Sequence, residues 1–503
     1  MVWERLDLVG RVLELVLASA MIASALAFGG VQPIAYSLME IVLFLVLLLA
    51  LYTGTRPAAS SRYAESRKGV AGGLRVSPWA LPFVLWAVIG IIPLPVAWVV
   101  RLSPARALDP SLAAAHAATL SINAHDTAVM LMKFIAYLSA FVLAAYLFDS
   151  GKRKSLLLAA LMALGIFEAA YGAVQYLTGW QKIFAYTKQY YTTEGTGTYI
   201  NHNHFAGLLE LALPFVVASV FYHFQLWSEG REAGRGRRIA GGSAGLRAFF
   251  YLFLAVIVVV GAICSKSRGG IVGIVFSVML VAALAQLKTG QRVWLAGLVL
   301  FLVSVGAYGM WIGLGPLAER FQWIGQQGYM EHTDLRLPIW RDDLRLIHDY
   351  PLTGTGLGTF ALGFRHYQTV GVALFFDHPH NDYLEVASDT GLVGVALLFL
   401  PIFVLLARMV GSFLSDSRRY RRAVILGCIG SVAALLVHST TDFNLQIPAN
   451  ALVFAIVLGV GYKAAIIERR LERLPAATPI AVSVAEGRVY STPTDRQRTR
   501  ISN

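Results

Sequence analysis

The chain has 503 residues, of which 57% are hydrophobic and 14% charged, and it carries a formal net charge of +13. So apolar a composition lies far outside the range of a water-soluble domain and makes a bilayer the solvent for most of the chain. The positive charge does not mark a nucleic-acid binder, because Lys and Arg gather in alternate loops between apolar runs.

Apolar runs of the length a helix needs to cross a hydrocarbon core recur about twelve times, and in lipid a helix satisfies its own backbone polar groups. In chain order they lie near 12–28, 34–52, 79–100, 129–148, 156–177, 205–224, 249–263, 271–287, 293–314, 392–410, 424–437 and 451–467. The shorter ones are expected to be extended or tilted. Alternate connections are basic: Arg62, Arg67, Lys68 and Arg75; Lys152 to Lys154; Arg231, Arg235, Arg237 and Arg238; Lys288 and Arg292; Arg418, Arg419, Arg421 and Arg422; and the tail from Arg469. Positive loops stay inside, so both termini are expected in the cytoplasm and the remaining loops outside. The first run lacks an A-x-A-like exit and is expected to remain as the first helix. Cys264 and Cys428 fall in or beside spans, as small apolar residues rather than a disulfide pair. Residues 475–503 mix Pro, Ser, Thr and Arg without helical period and read as a disordered cytoplasmic tail.

Three longer segments fall outside: 101–126, 178–204 and 315–389. Within the third, Leu335, Ile339, Leu344 and Ile347 recur at helical spacing among charged residues, which predicts an amphipathic helix over 334–350 at the membrane interface, ended by Pro351. The run Gly354-Thr355-Gly356-Leu357-Gly358 has no preceding strand and no following Lys-Ser/Thr pair, so it reads as a flexible connector and not a phosphate loop. A short outer turn carries Lys266 and Arg268, and Gly269 and Gly270 after them permit close approach of backbone or ligand. Lys266 also fits a snorkelling cation. Two histidine clusters, Asn201-His202-Asn203-His204 and His378-Pro379-His380-Asn381, face the same side as these cations. His202 and His378 read foremost as hydrogen-bonding to loop backbone, and Asn203 as an N-cap. Asn201 and Asn381 fit sugar contacts or helix starts equally, and Glu194, Glu210 and Glu385 fit sugar contacts or solvated and capping roles.

Five motifs then occur in a characteristic order. They are Thr196 to Ala206, Ser267-Arg268-Gly269, Arg336 with Trp340, Pro351 to Gly358, and His380-Asn381-Asp382-Tyr383-Leu384-Glu385, closed by Asp442 to Pro448. In this the chain resembles the O-antigen ligase and polymerase family over about 169–450. The resemblance implies an all-α polytopic enzyme of the GT-C type with a long periplasmic loop over 315–389, in the bacterial inner membrane. It implies a metal-independent, inverting glycosyltransferase without cofactor, moving a glycan from undecaprenyl pyrophosphate to lipid A-core or to a growing polysaccharide. Its organisation would be N-terminal spans over 1–168, the core over 169–450, the last span over 451–474 and the tail over 475–503. A lipid pyrophosphate needs fixed cations at the outer interface, preferably Arg, and Arg268 and Arg336 are expected there. A sugar hydroxyl needs a base near neutral pH, the role matched by His380. Lys266, His204, Asn203, Asn201, His378, Asn381, Arg341 and Asp442 are expected around the substrate. The Arg that the family often places before its Thr-Gly-Thr stretch is missing; Lys182 or Lys188 would be its replacement, without the guanidinium fork.

Two other classes share these residues. Both His-x-His groups with Asp377, Asp342 or Asp343 form a candidate zinc or manganese set. About twelve spans also suit a glycan transporter or flippase, for which Glu40, Lys133 and Glu168 within or near spans are candidates; no half-repeat accompanies them.

Overall fold

A computed structural model describes residues 2–55, 80–149, 155–232, 235–297, 299, 303, 335–369, 371, 374–472, 482–485 and 488–491. Most of the expected span at 293–314 and the basic loops at 56–79 and 150–154 lie outside the described residues. Among the described residues ten helices are long and apolar enough to cross a membrane, and the chain is an all-α polytopic membrane protein. Among the described residues strand pairing is confined to short two-stranded pieces, one of them Val482–Ala485 with Arg488–Ser491 inside the tail read as disordered.

One expected span is broken. Over 79–100 the structure has a helix only at Leu81–Ile91, followed by Leu94–Pro95 and the short helix Val96–Leu102. The cause is local: Pro93 pushes Ile92 into extended backbone (ψ 130°), and Pro95 blocks resumption until the following residue. Other spans are longer than their apolar runs, as for Asp382–Ser415, Arg419–His438 and the helix Arg235–Cys264.

The interior of the bundle is set by which helices are enclosed. In the apolar 18-residue stretch within each of His202–Gly230, Arg419–His438 and Pro448–Arg470 about four-fifths is buried (78%, 83% and 83%), against 28% in those of Pro33–Thr53 and Gly242–Cys264. The helix Arg419–His438 packs on both His202–Glu232 and Arg268–Thr289. Small residues permit the close approach, as at Gly430, whose Cβ would fall 2.7 Å from Pro214, and Gly427, which faces the Phe215 ring. Cys264 and Cys428 are both free and buried.

At one end of these helices the basic residues hold the bundle together. Arg419 pairs with Glu229, Arg422 donates to Gln225, Lys288 to the Leu414 carbonyl, and Arg421 to Asp416. The opposite end carries the histidine clusters.

The segment that precedes helix Asp382–Ser415 is docked on that opposite end through a kink. Helix Asp382–Ser415 is interrupted at Gly391 (φ 68°, ψ 178°), where a Cβ would meet the Leu352 carbonyl at 2.2 Å and where Leu392 N–H donates to the Pro351 carbonyl. The glycine run expected to be a flexible connector is a buried anchor. Thr355 N–H donates to the Ser388 carbonyl, Gly356 N–H to the Asp389 carbonyl, and Gly358 and Thr359 N–H to the Asp389 carboxylate. A positive φ at Gly354, Gly356 and Gly358 accounts for the glycines.

The amphipathic helix forms at Arg336–Asp349, but its buried face differs from the expected one. Ile339 and Leu346 are buried with Phe360 and Phe364, whereas Leu344 is 55% exposed. Between them two acids are buried: Asp342 accepts from Arg345 and from Thr369, and Asp343 has a pKa pushed up to about 8, by burial first and by nearby Glu385 second. A carboxyl that is protonated, or paired, sits in an apolar seam where sequence pattern alone assigns a hydrophobe.

Candidate active site

Where the Arg336 helix meets the bundle there is an open cavity of about 370 Å³ lined by, among others, Tyr191, Asn203, Lys266, Arg268, Arg336, His380, His438 and Asp442. Asp442 is its organiser. Its side chain is 1% exposed, and one oxygen lies 3.4 Å from His380 Nδ1 and 3.6 Å from His204 Nε2, while the other lies 3.5 Å from Arg336 Nη2. Phe443 N–H donates to it as well, at 2.9 Å. Burial by itself would raise this carboxyl, but the facing imidazoles of His204, His380 and His438 hold it well below the usual carboxylate range. It is therefore an anion at neutral pH, and it ties one Arg and one His to a fixed charge.

His380 takes its place through strained backbone. Its φ of 54° lies in the left-handed region, which costs a non-glycine residue roughly 1–2 kcal/mol. The bonds on either side offset this: Trp340 Nε1 donates to the Pro379 carbonyl, and Asp382 N–H to the Ser439 carbonyl. Asn381 then caps Asp382–Ser415 by accepting from Tyr383 and Leu384 N–H, and its amide donates to the Thr440 carbonyl. With Nδ1 turned to Asp442, Nε2 is the nitrogen left for chemistry.

The Phe443 ring is a hub for three imidazoles. His378 stacks on it at 4.2 Å, and His204 and His380 meet it edge-on at 4.6 and 4.8 Å. His378 does not bond loop backbone, as the sequence reading had it, but pairs with Glu385 at 2.7 Å. Burial lowers its pKa, partly offset by Asp377, and burial raises that of Glu385, so both partners of the pair are pushed toward their neutral forms. His202 does bond backbone, to the Ser265 carbonyl at 2.6 Å. The helix start here belongs to Asn201, which accepts from Asn203 N–H, so the N-cap sits two residues before the position expected, and Asn203 is free to line the cavity.

The cations stand on a tight turn. Ser265 Oγ accepts from Ser267 N–H, Ser267 Oγ caps the helix Arg268–Thr289 by accepting from Gly270 N–H, and Lys266 adopts a φ of 56° between them. Lys266 also lies 5.2 Å over the Tyr176 ring. Arg341 is exposed and does not line the cavity. Lys182 and Lys188 are not brought to it either: Lys188 donates to Gln181 and to the Glu194 carbonyl, and burial lowers its pKa to about 8. Tyr191, from that same loop, is the residue that fronts the cavity, with its ring on His202.

Among the described residues no group of three or more His, Cys, Asp or Glu has the arrangement of a metal site. Two of the acids proposed as ligands are engaged elsewhere, Asp342 with Arg345 and Thr369 and Asp343 in the seam behind the amphipathic helix.

Sequence reading missed His438, Tyr191 and Phe443 as site residues; His438 ends an apolar helix and carries no local motif. No curated protein matches the chain significantly. Residues 252–399 match the family model described as O-antigen ligase, a stretch that includes Arg268, Arg336, His378, His380 and Asn381 and leaves His204 and Asp442 outside it. That stretch is similar to the O-antigen ligase domain, which supports glycosyl transfer of the ligase or polymerase type.

Proposed function

We propose that the chain transfers a glycan from undecaprenyl pyrophosphate to an acceptor sugar hydroxyl on the periplasmic side of the bacterial inner membrane, without metal or cofactor. The observation that carries this reading is the single carboxylate of Asp442, which touches both a cavity-facing Arg336 and a cavity-facing His380. An imidazole whose Nδ1 is held by a buried carboxylate is a positioned general base, and its protonated form is stabilised as the acceptor proton arrives on Nε2. Inverting transfer places the acceptor oxygen and the leaving pyrophosphate on opposite faces of the anomeric carbon. Pyrophosphate leaves as a stabilised anion and needs positive charge more than a proton, the part given to Arg268 and Arg336, with Lys266 at the rim. Asn203 and Tyr191 supply polar contacts for sugar. The opposite end of the bundle carries the basic loops, which supports an external site.

The test is to place the purified protein in lipid nanodiscs with the host's undecaprenyl-pyrophosphate glycans, with and without lipid A-core. A ladder without acceptor identifies a polymerase, and a single acceptor-dependent conjugate a ligase. His380→Ala and Arg268→Ala abolish transfer while folded protein persists; turnover retained in either would overturn that residue's role. Glycan movement across the membrane with no conjugate would favour a transporter.

A further inference from the structure

The pair Glu210 and His438 has no part in the chemistry above, yet its histidine lines the cavity. Their side chains are 0% and 1% exposed, and His438 Nδ1 lies 3.0 Å from Glu210 Oε1. That contact commits Nδ1 and leaves Nε2, which has no hydrogen-bond partner among the described residues although the residue lines the cavity. Opposite Nε2 stands the start of the 22-residue helix Arg268–Thr289: a Cβ on Gly269 would fall 2.7 Å from His438 Nε2 and 2.7 Å from Thr441 Oγ1. Ser267 accepts from Gly270 and Ile271 N–H through its hydroxyl and carbonyl, and the N–H groups of Arg268 and Gly269, as first-turn donors, have no acceptor within the helix. A buried imidazole nitrogen without a partner and the positive end of a long helix thus face one corner, with Lys266 and Arg268 on its wall.

We infer that this corner is an anion subsite that takes one phosphate of the leaving pyrophosphate, with His438 donating Nε2–H to it and Glu210 holding the ring. This rests on the reading that the donor carries a pyrophosphate. The pair is suited to it electrostatically. With one proton between Glu210 and Nδ1 and a second on Nε2 it has no net charge, which burial favours, and it still presents a donor to the anion. No bond to the phosphate forms and no proton is given up; the contribution is a hydrogen bond that strengthens as negative charge gathers on the departing oxygens. Gly269 is required because any side chain there occupies the space between ring and helix end.

The experiment measures binding of inorganic pyrophosphate and of undecaprenyl pyrophosphate to the full chain in nanodiscs, for the unaltered protein, His438→Leu and His438→Gln, with thermal unfolding as the control for folding. His438→Leu is expected to weaken both ligands about tenfold or more, as for loss of a hydrogen bond to a charged group. His438→Gln, which returns an N–H donor, is expected to recover part of the loss. Equal affinity in folded His438→Leu would overturn the subsite. Should that variant not fold, Gly269→Ala fills the same corner, and unchanged affinity there would overturn it equally. His438-dependent binding of inorganic pyrophosphate with no binding of the lipid would keep the subsite and overturn the lipid-donor reading, whereas absence of binding of either ligand to the unaltered protein overturns the subsite.

Discussion

Asp442→Asn removes one charge and keeps the shape of the side chain, and it bears on two assigned residues at once. Unit charges 3.5 Å apart, the separation of Arg336 Nη2 and Asp442 Oδ2, attract by roughly 5 kcal/mol at an effective dielectric of about 20. Arg336 is 27% exposed, so water screens part of this and about 2–3 kcal/mol is a reasonable share. The same charge faces His380 at 3.4 Å, where it stabilises the imidazolium formed as the base accepts a proton. A loss of about 3 kcal/mol in the transition state is a fall of roughly 100-fold in turnover. The assay follows labelled glycan from lipid donor to acceptor in nanodiscs, for Asp442→Asn, His380→Ala and the double variant. If the carboxylate works largely through the histidine, the double variant is no slower than His380→Ala alone. Turnover of folded Asp442→Asn within about threefold of the unaltered protein would refute the organising role given to this charge.

Asp442 also makes a stability statement. Its folded-state pKa lies well below the ordinary 3.8, so its stabilisation is present above pH 4 and is lost as pH falls toward the folded value; the destabilisation by Asp442→Asn is expected to shrink in acid, as checked by thermal unfolding across pH. Asp343 has the opposite sign: its pKa is raised from 3.8 to about 8, so the folded state binds the extra proton and stability declines as pH rises from about 4 to 8. Asp343→Asn is therefore expected to gain stability relative to the unaltered protein across that range, and an unchanged difference between pH 4 and 8 would exclude a protonated Asp343. Phe443→Ala removes the ring that three imidazoles share and is expected to cost about 3–5 kcal/mol of stability and to reduce transfer, measured by unfolding and by product formation. Gly391→Ala forces a Cβ to 2.2 Å from the Leu352 carbonyl at a φ of 68°, and it is expected to release the 351–359 anchor, seen as faster proteolysis in that segment.

Composition, apolar run length and loop charge determined the membrane class, the number and order of most spans and the free state of both cysteines, because the cost of exposing backbone or charge to lipid acts on each segment separately. Part of the lining of the cavity was legible as residue types in motifs: Arg268, Arg336, His380 and Asp442 do come together there. What sequence reading could not reach was pairing across long separations. Asp442 joins His204, Arg336 and His380, while Glu210 meets His438 228 positions later, and both groupings exist only because helix ends converge. The glycine run at 354–358 and the acids of the Arg336 helix failed for a related reason. Local pattern assigns exposure to glycine loops and carboxylates, whereas here the partners that bury them, the Ser388–Asp389 backbone and Thr369, come from elsewhere in the chain. Hydrophobic burial is a property of a stretch of sequence, and the orientation of a base by a particular acid is a property of the folded bundle.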